Sequence, residues 1–218
     1  MLSSMTGDRR LRAAGADSSP PSNSGTIGHM ASLALFHSVY GLRPAVRAVA
    51  ERFRADGHHV VAPDLYGVTP ADTLDEGFAL ADKVGWETML ERAREAVRDL
   101  PADAVLAGLS MGTSIANALL RERPRTSGLL LLSSTGGSFA ALPAGFRAQL
   151  HVADPDDEYA PPEDVERWTA EMTAADASFE VFRYPDVGHL WIDPGLIDYD
   201  APATDLTWQR CAEFLRLS

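Results

Sequence analysis

Ser110 lies within Gly108-Leu109-Ser110-Met111-Gly112, a run preceded by the apolar residues 105–107 and followed by helix formers as far as Arg123. That pattern predicts a short buried strand, a sharp turn and a helix, with the serine hydroxyl exposed at the bend and small neighbours letting the backbone close around it. The helix would start beneath the serine and aim unpaired N–H groups, and the positive end of its dipole, at any oxyanion formed there. A serine hydroxyl is a poor nucleophile at neutral pH and needs an imidazole to take its proton. His189, in the loop 185–191 after the last strand-like stretch, is the candidate base. The acidic loop 154–162 offers an aspartate to orient that imidazole and stabilise its charged form. Serine, acid and histidine in that chain order, each after a separate strand, would share one edge of a sheet. The pentapeptide alone also fits a tight strand-helix joint in a nucleotide-binding sheet, so the argument rests on all three parts together.

The elements needed to position these groups can be read along the chain. Residues 32–36 form a short apolar strand, Pro44 opens a helix with Ala45, Val46, Val49, Ala50 and Phe53 on one side, and residues 60–62 continue as a strand. Strand, helix and strand make a parallel unit. A polar connection with a helical turn near residues 78–84 leads to a stronger helix over 86–100. Further strands are expected at 105–107, 128–132, 147–153 and 179–184, with helices over 113–123, 163–175 and 204–217. The loop 133–138 lacks both the P-loop lysine and the Rossmann glycine spacing, and reads as a plain loop. The result is an α/β fold: about six mainly parallel strands with helices on both faces, and ligands at the carboxyl ends of the strands.

Composition narrows the function further. The chain of 218 residues has a net charge of −12 and shows no basic patch, which argues against nucleic acid as a partner. Cys211 is the only cysteine, so neither an internal disulfide nor a cysteine-rich metal site is available. No metal and no organic cofactor is expected. His58 and His59 would point to opposite faces of a strand, His151 lies within a strand, His29 is in the tail, and His37 either lines a pocket or makes a structural hydrogen bond. Residues 1–30, rich in Ser, Gly, Pro, Asn and Arg, read as a disordered tail or a cloning-derived segment, leaving 31–218 as one domain. No run approaches membrane-spanning length, and the expected location is cytoplasmic.

From about Leu33 onward the sequence resembles the dienelactone hydrolase family of α/β-hydrolases, particularly its short members. The stretches that carry this are 36–44, Ala62-Pro63-Asp64-Leu65-Tyr66-Gly67, 108–112, 151–163 and Gly188-His189. The resemblance implies the α/β-hydrolase fold without a separate lid domain. It also implies a triad of Ser110, Asp157 and His189, with Asp154 as the alternative acid because it ends its strand directly. Its oxyanion donors would be the backbone N–H groups of Val39 and Met111. The best-known members of that family have cysteine as nucleophile, a glutamate near Ser38 and arginines that clamp a substrate carboxylate. This chain has Ser110 instead, no arginine between Tyr66 and Leu90, and Asp193 four residues after His189. Those departures point to ordinary serine chemistry on neutral small-molecule esters or lactones and away from carboxylated lactones. Tyr40, Tyr66, Trp86, Phe139 and Trp191 are the candidate apolar pocket walls. Acyl transfer by the same triad, or a non-catalytic ligand-binding role, are the alternatives; oligomeric state is not legible.

Overall fold

The computed structural model describes residues 30–137, 142, 145–155 and 157–217. Most of the tail and Phe139 therefore lie outside the described residues. Strands β1 (Ser32–Phe36), β2 (His59–Val61), β3 (Val105–Leu109), β4 (Gly128–Leu132), β5 (Arg147–Asp154) and β6 (Ser178–Pro185) form one sheet in the order β2-β1-β3-β4-β5-β6. Every pairing between neighbours is parallel. Parallel strands need long crossovers, and among the described residues helices supply them everywhere but between β4 and β5; β1, β3, β4 and β5 are covered on both sides, while the edge strands β2 and β6 stay partly exposed.

Side chains alternate across each strand, so the sheet divides the core into two layers. Ala34, Phe36, Leu106, Leu129, Leu131, Leu150 and Val152 face one layer. They pack against Ala93 of α3 (Trp86–Val97), Ile115 and Leu119 of α4 (Met111–Glu122) and Trp168 of α5 (Pro162–Ala174). Leu33, Leu35, Val105, Ala107, Leu130 and Leu132 face the other layer. That layer is closed by Val46, Val49 and Phe53 of α1 (Pro44–Ala55) and by Trp208, Cys211 and Phe214 of α6 (Ala201–Arg216). Cys211 is thus a buried core thiol, pushed well above its ordinary pKa by burial.

One element exceeds its sequence expectation. In place of a turn near 78–84 there is a full helix, α2 (Leu74–Val84), held at its start by a reciprocal cap. The Glu76 N–H donates to Thr73 Oγ1 at 3.3 Å, and the Thr73 N–H donates to Glu76 Oε2 at 3.2 Å. Thr-x-x-Glu is the sequence sign of such a cap. Similarly, α6 begins three residues earlier than its apolar period suggests, because the Asp200 side chain accepts the Ala203 N–H at 2.8 Å.

The fold buries two histidines that titrate out of their usual range. Glu180 Oε2 accepts from Gln149 Nε2 at 2.9 Å, which turns Gln149 Oε1 toward His151 Nε2 at 3.3 Å. Nε2 therefore carries the proton, and Nδ1 accepts from the Tyr184 hydroxyl at 2.9 Å. Burial lowers the His151 pKa from 6.5 to about 3, and burial lowers that of His37 as well. The unfolded chain then binds protons below about pH 6.5 that the folded chain refuses, so stability falls as pH drops from there until His151 protonates in the fold near pH 3. The loss expected is on the order of a few kcal/mol. Urea midpoints measured across that window should decline, and more shallowly in His151→Gln; parallel slopes would remove His151 as the cause.

Candidate active site

The strand-to-helix bend is as tight as the sequence requires. Ser110 has φ 46° and ψ −113°, a backbone region that side-chain-bearing residues rarely adopt and that is held only by its surroundings. Its N–H donates to the Leu132 carbonyl at 2.8 Å, and its carbonyl accepts from the Thr113 N–H at 2.9 Å and the Thr113 hydroxyl at 2.6 Å. The glycines two residues to either side have a packing reason. A Cβ on Gly108 would lie 2.3 Å from the Gly112 carbonyl carbon, and one on Gly112 would lie 2.3 Å from the Phe36 carbonyl oxygen. Both close approaches bring the start of α4 against β3 and the end of β1, leaving the serine hydroxyl at the carboxyl edge.

Ser110, His189 and Asp157, from three separate loops, meet there. Ser110 Oγ is 2.8 Å from His189 Nε2. His189 Nδ1 is 2.9 Å from Asp157 Oδ1 and 2.8 Å from Oδ2. An ionised carboxylate only accepts, so Nδ1 carries the proton and Nε2 accepts from the serine hydroxyl, the tautomer a general base needs. The Asp157 side chain is 1% exposed and also accepts the Tyr159 N–H at 2.9 Å, so an Asx turn and contact with histidine coexist in one residue. Asp154 instead pairs with Arg183 at 3.1 Å, with both side chains partly exposed. The ring of Tyr159 lies against His189 with centroids 4.7 Å apart.

Val39 and Met111 line the same cavity as Ser110, and among the described residues neither N–H group has an acceptor. The peptide carrying the Val39 N–H is fixed from behind. His37 Nε2 accepts the Leu65 N–H at 3.0 Å, so Nδ1 is protonated and donates to the Ser38 carbonyl at 2.8 Å. The Tyr66 hydroxyl donates to the Val39 carbonyl at 2.7 Å. Arg43 Nε, on the same loop, pairs with Asp193 Oδ2 at 2.6 Å and so ties it to the segment after His189. Of the two readings open for His37, the structure gives the buried hydrogen-bonding one.

The cavity encloses about 400 Å³ and is lined by Val39, Tyr40, Leu74, Phe78, Ala81, Ser110, Met111, Ser114, Ser134, Tyr159, His189, Leu190 and Asp198. Tyr40 is placed as expected. Tyr66 and Trp191 are not walls of it: Tyr66 lies behind the Val39 loop, and Trp191 is fully buried, with its indole N–H donating to Thr207 Oγ1 at 3.0 Å. Trp86 begins α3 and does not reach the cavity. Tyr66 and Trp191 sit in loops and Trp86 in the first turn of α3, and it is the path of those loops and the packing of that helix that turn the three rings away from the cavity. Sequence reasoning missed Leu74, Phe78 and Ala81, although the Thr73–Glu76 cap would have fixed their helix and its phase. Beyond His189 a second, more polar hollow of about 640 Å³ is lined by Asp154, Asp157, Glu158, Asp186 and Asp198 among others. Among the described residues neither hollow has a lysine or arginine in its lining. Among the described residues no group of three or more His, Cys, Asp or Glu could hold a metal ion, and no helix is long and apolar enough to cross a membrane.

Solved structures show the same fold at low identity. A dienelactone hydrolase-like promiscuous phosphotriesterase from metagenomic libraries is 18% identical with a TM-score of 0.66, the alignment covering 88% of each chain. A proposed dienelactone hydrolase from Klebsiella pneumoniae subsp. pneumoniae is also 18% identical with a TM-score of 0.66, covering 89% of this chain and 90% of the other. Esterase PE8 is 19% identical with a TM-score of 0.57, covering 85% of this chain and 93% of the other. No curated protein matches the chain in sequence. The sequence profile of the alpha/beta hydrolase family, however, matches residues 28–180. A match across that much of the chain, running through the strands and the serine turn described above, means that this protein belongs to the alpha/beta hydrolase family.

Proposed function

We propose that this hydrolase is a serine esterase of dienelactone hydrolase type, cleaving uncharged carboxylic esters or lactones through an acyl-Ser110 intermediate. The observation that carries the reading is the continuous chain of hydrogen bonds from Asp157 through His189 to Ser110, at the wall of a largely apolar cavity. His189 Nε2 takes the Ser110 proton as Oγ attacks the substrate carbonyl. The oxygen that gains charge is met by the N–H groups of Val39 and Met111 and by the start of α4. The imidazolium, stabilised by Asp157, then protonates the leaving alcohol, and a water activated by His189 releases the acid. Nucleophile, base and oxyanion donors all come from the chain, so this chemistry calls on no cofactor. A lining that has no lysine or arginine among the described residues, in a chain of charge −12, disfavours a substrate carboxylate.

Treatment with a fluorophosphonate should add one adduct per chain, mapped to Ser110, and the protein should hydrolyse p-nitrophenyl butanoate. A carboxylated lactone should be turned over far more slowly than its neutral counterpart. No adduct, under conditions that label a reference serine hydrolase, would overturn the reading.

A further inference from the structure

One apolar face of α2 reaches the cavity. Leu74, Phe78 and Ala81, four and then three residues apart, share one side of the helix and line the space next to Ser110 and Met111. Phe78 is 46% exposed, although it is apolar and lies within a capped helix. Its helix cannot shift freely. The Thr73–Glu76 cap fixes where it begins, and Gly77 packs so closely on the oxyanion loop that a Cβ there would lie 2.8 Å from the Val39 carbonyl oxygen.

The direction of the proton transfer tells the two lobes of the site apart. His189 Nε2 must protonate the leaving oxygen, so the leaving group lies on the His189 side. There the second hollow continues past Asp186, Val187 and Gly188. Phe78, Ala81, Met111 and Ser114 line only the first cavity, on the side left for the acyl chain. Leu74, at the start of α2, borders both hollows; we propose that Phe78 and Ala81 of α2 form the wall of the acyl pocket and that Phe78 is the residue that limits acyl length, selecting short or compact uncharged acyl groups. This rests on the esterase reading above. A longer chain meets the Phe78 ring before it can bring its carbonyl to Ser110, whereas the length of the alcohol is set elsewhere.

Two ester series test this in the full chain. In the first, p-nitrophenyl esters run from acetate through butanoate to decanoate. In the second, acetates run from methyl to octyl alcohols. Phe78→Ala should raise the decanoate-to-butanoate ratio of kcat/KM about tenfold or more. It should leave the octyl-to-methyl ratio of kcat/KM in the alcohol series within about twofold of the native ratio, whatever the absolute rates. Phe78→Trp should shift the acyl preference the other way, toward acetate. Because the ring is partly exposed and outside the core, both variants are expected to fold, with native urea midpoints as the check. An unchanged acyl ratio in both variants, or a shift in the alcohol series instead, would overturn the assignment while leaving the esterase intact. Absence of turnover in the native protein together with no Ser110 adduct would overturn the esterase reading, and the acyl-pocket assignment with it.

Discussion

Ser110→Ala is expected to lower kcat by a factor on the order of 10⁴ to 10⁶, leaving the residual rate that binding and the oxyanion donors provide. The methyl group of alanine keeps the packing at the bend but removes the oxygen that His189 holds at 2.8 Å. The supporting residues should then separate by position. Asp157→Asn should cost about 10³- to 10⁴-fold, since an amide can present its N–H to Nδ1 and stabilise the wrong tautomer. Asp154→Asn should change kcat by less than about threefold, because its partner is Arg183, in an exposed ion pair of the kind that contributes little. Stability gives an independent check. Ser110 sits at φ 46°, so Ser110→Gly should be as inactive as Ser110→Ala and yet more stable, by about 1 kcal/mol, because glycine adopts that backbone without strain. Equal losses from Asp154→Asn and Asp157→Asn would contradict the assigned roles, and unaltered activity in Ser110→Ala would remove the nucleophile.

The second large effect concerns Gly112→Ala. The new Cβ would lie 2.3 Å from the Phe36 carbonyl oxygen and 2.7 Å from that of His37. Neither neighbour is a flexible side-chain end: Phe36 is the last residue of β1, paired with Gly108 of β3, and His37 is hydrogen-bonded on both ring nitrogens. Relief therefore requires α4 to move off the sheet, or the Val39 loop to move away from Ser110. The expected cost is about 3 kcal/mol or more, beyond ordinary overpacking because the clash is with backbone. Any folded fraction should show reduced kcat with little change in the pH profile, since displacement of the Val39 N–H weakens oxyanion binding and leaves the triad intact. Urea unfolding and steady-state kinetics on the same preparation measure both. A native urea midpoint with native kcat would mean that α4 does not approach β1 as closely as described.

Much of the outcome was legible along the chain because it depends on local pattern. A short continuous apolar run such as 128–132, too short for a helix of its own, reads as a strand buried on both faces, and β4 is that strand. The glycines of 108–112 mark the bend because no other residue permits such close backbone contact, and the histidine and aspartate loops follow strands that had to be parallel. The chain therefore fixed the fold class, the order of the triad candidates and the edge they share. What it could not fix depends on the direction in which a side chain points after packing. Asp154 and Asp157 are three residues apart in one acidic loop, and only the tertiary path of that loop turns Asp157 to His189 and Asp154 to Arg183. Tyr66 and Trp191 adjoin active-site loops in sequence, but the fold buries both away from the cavity wall. Phe78, distant from Ser110 in sequence, lines the cavity because α2 packs over the loop that carries Val39. Sequence spacing determines which elements form and what chemistry they can bring; which side chains face the cavity is decided by contacts between residues far apart in the chain, through the phase of each helix and the close packing of backbone on backbone.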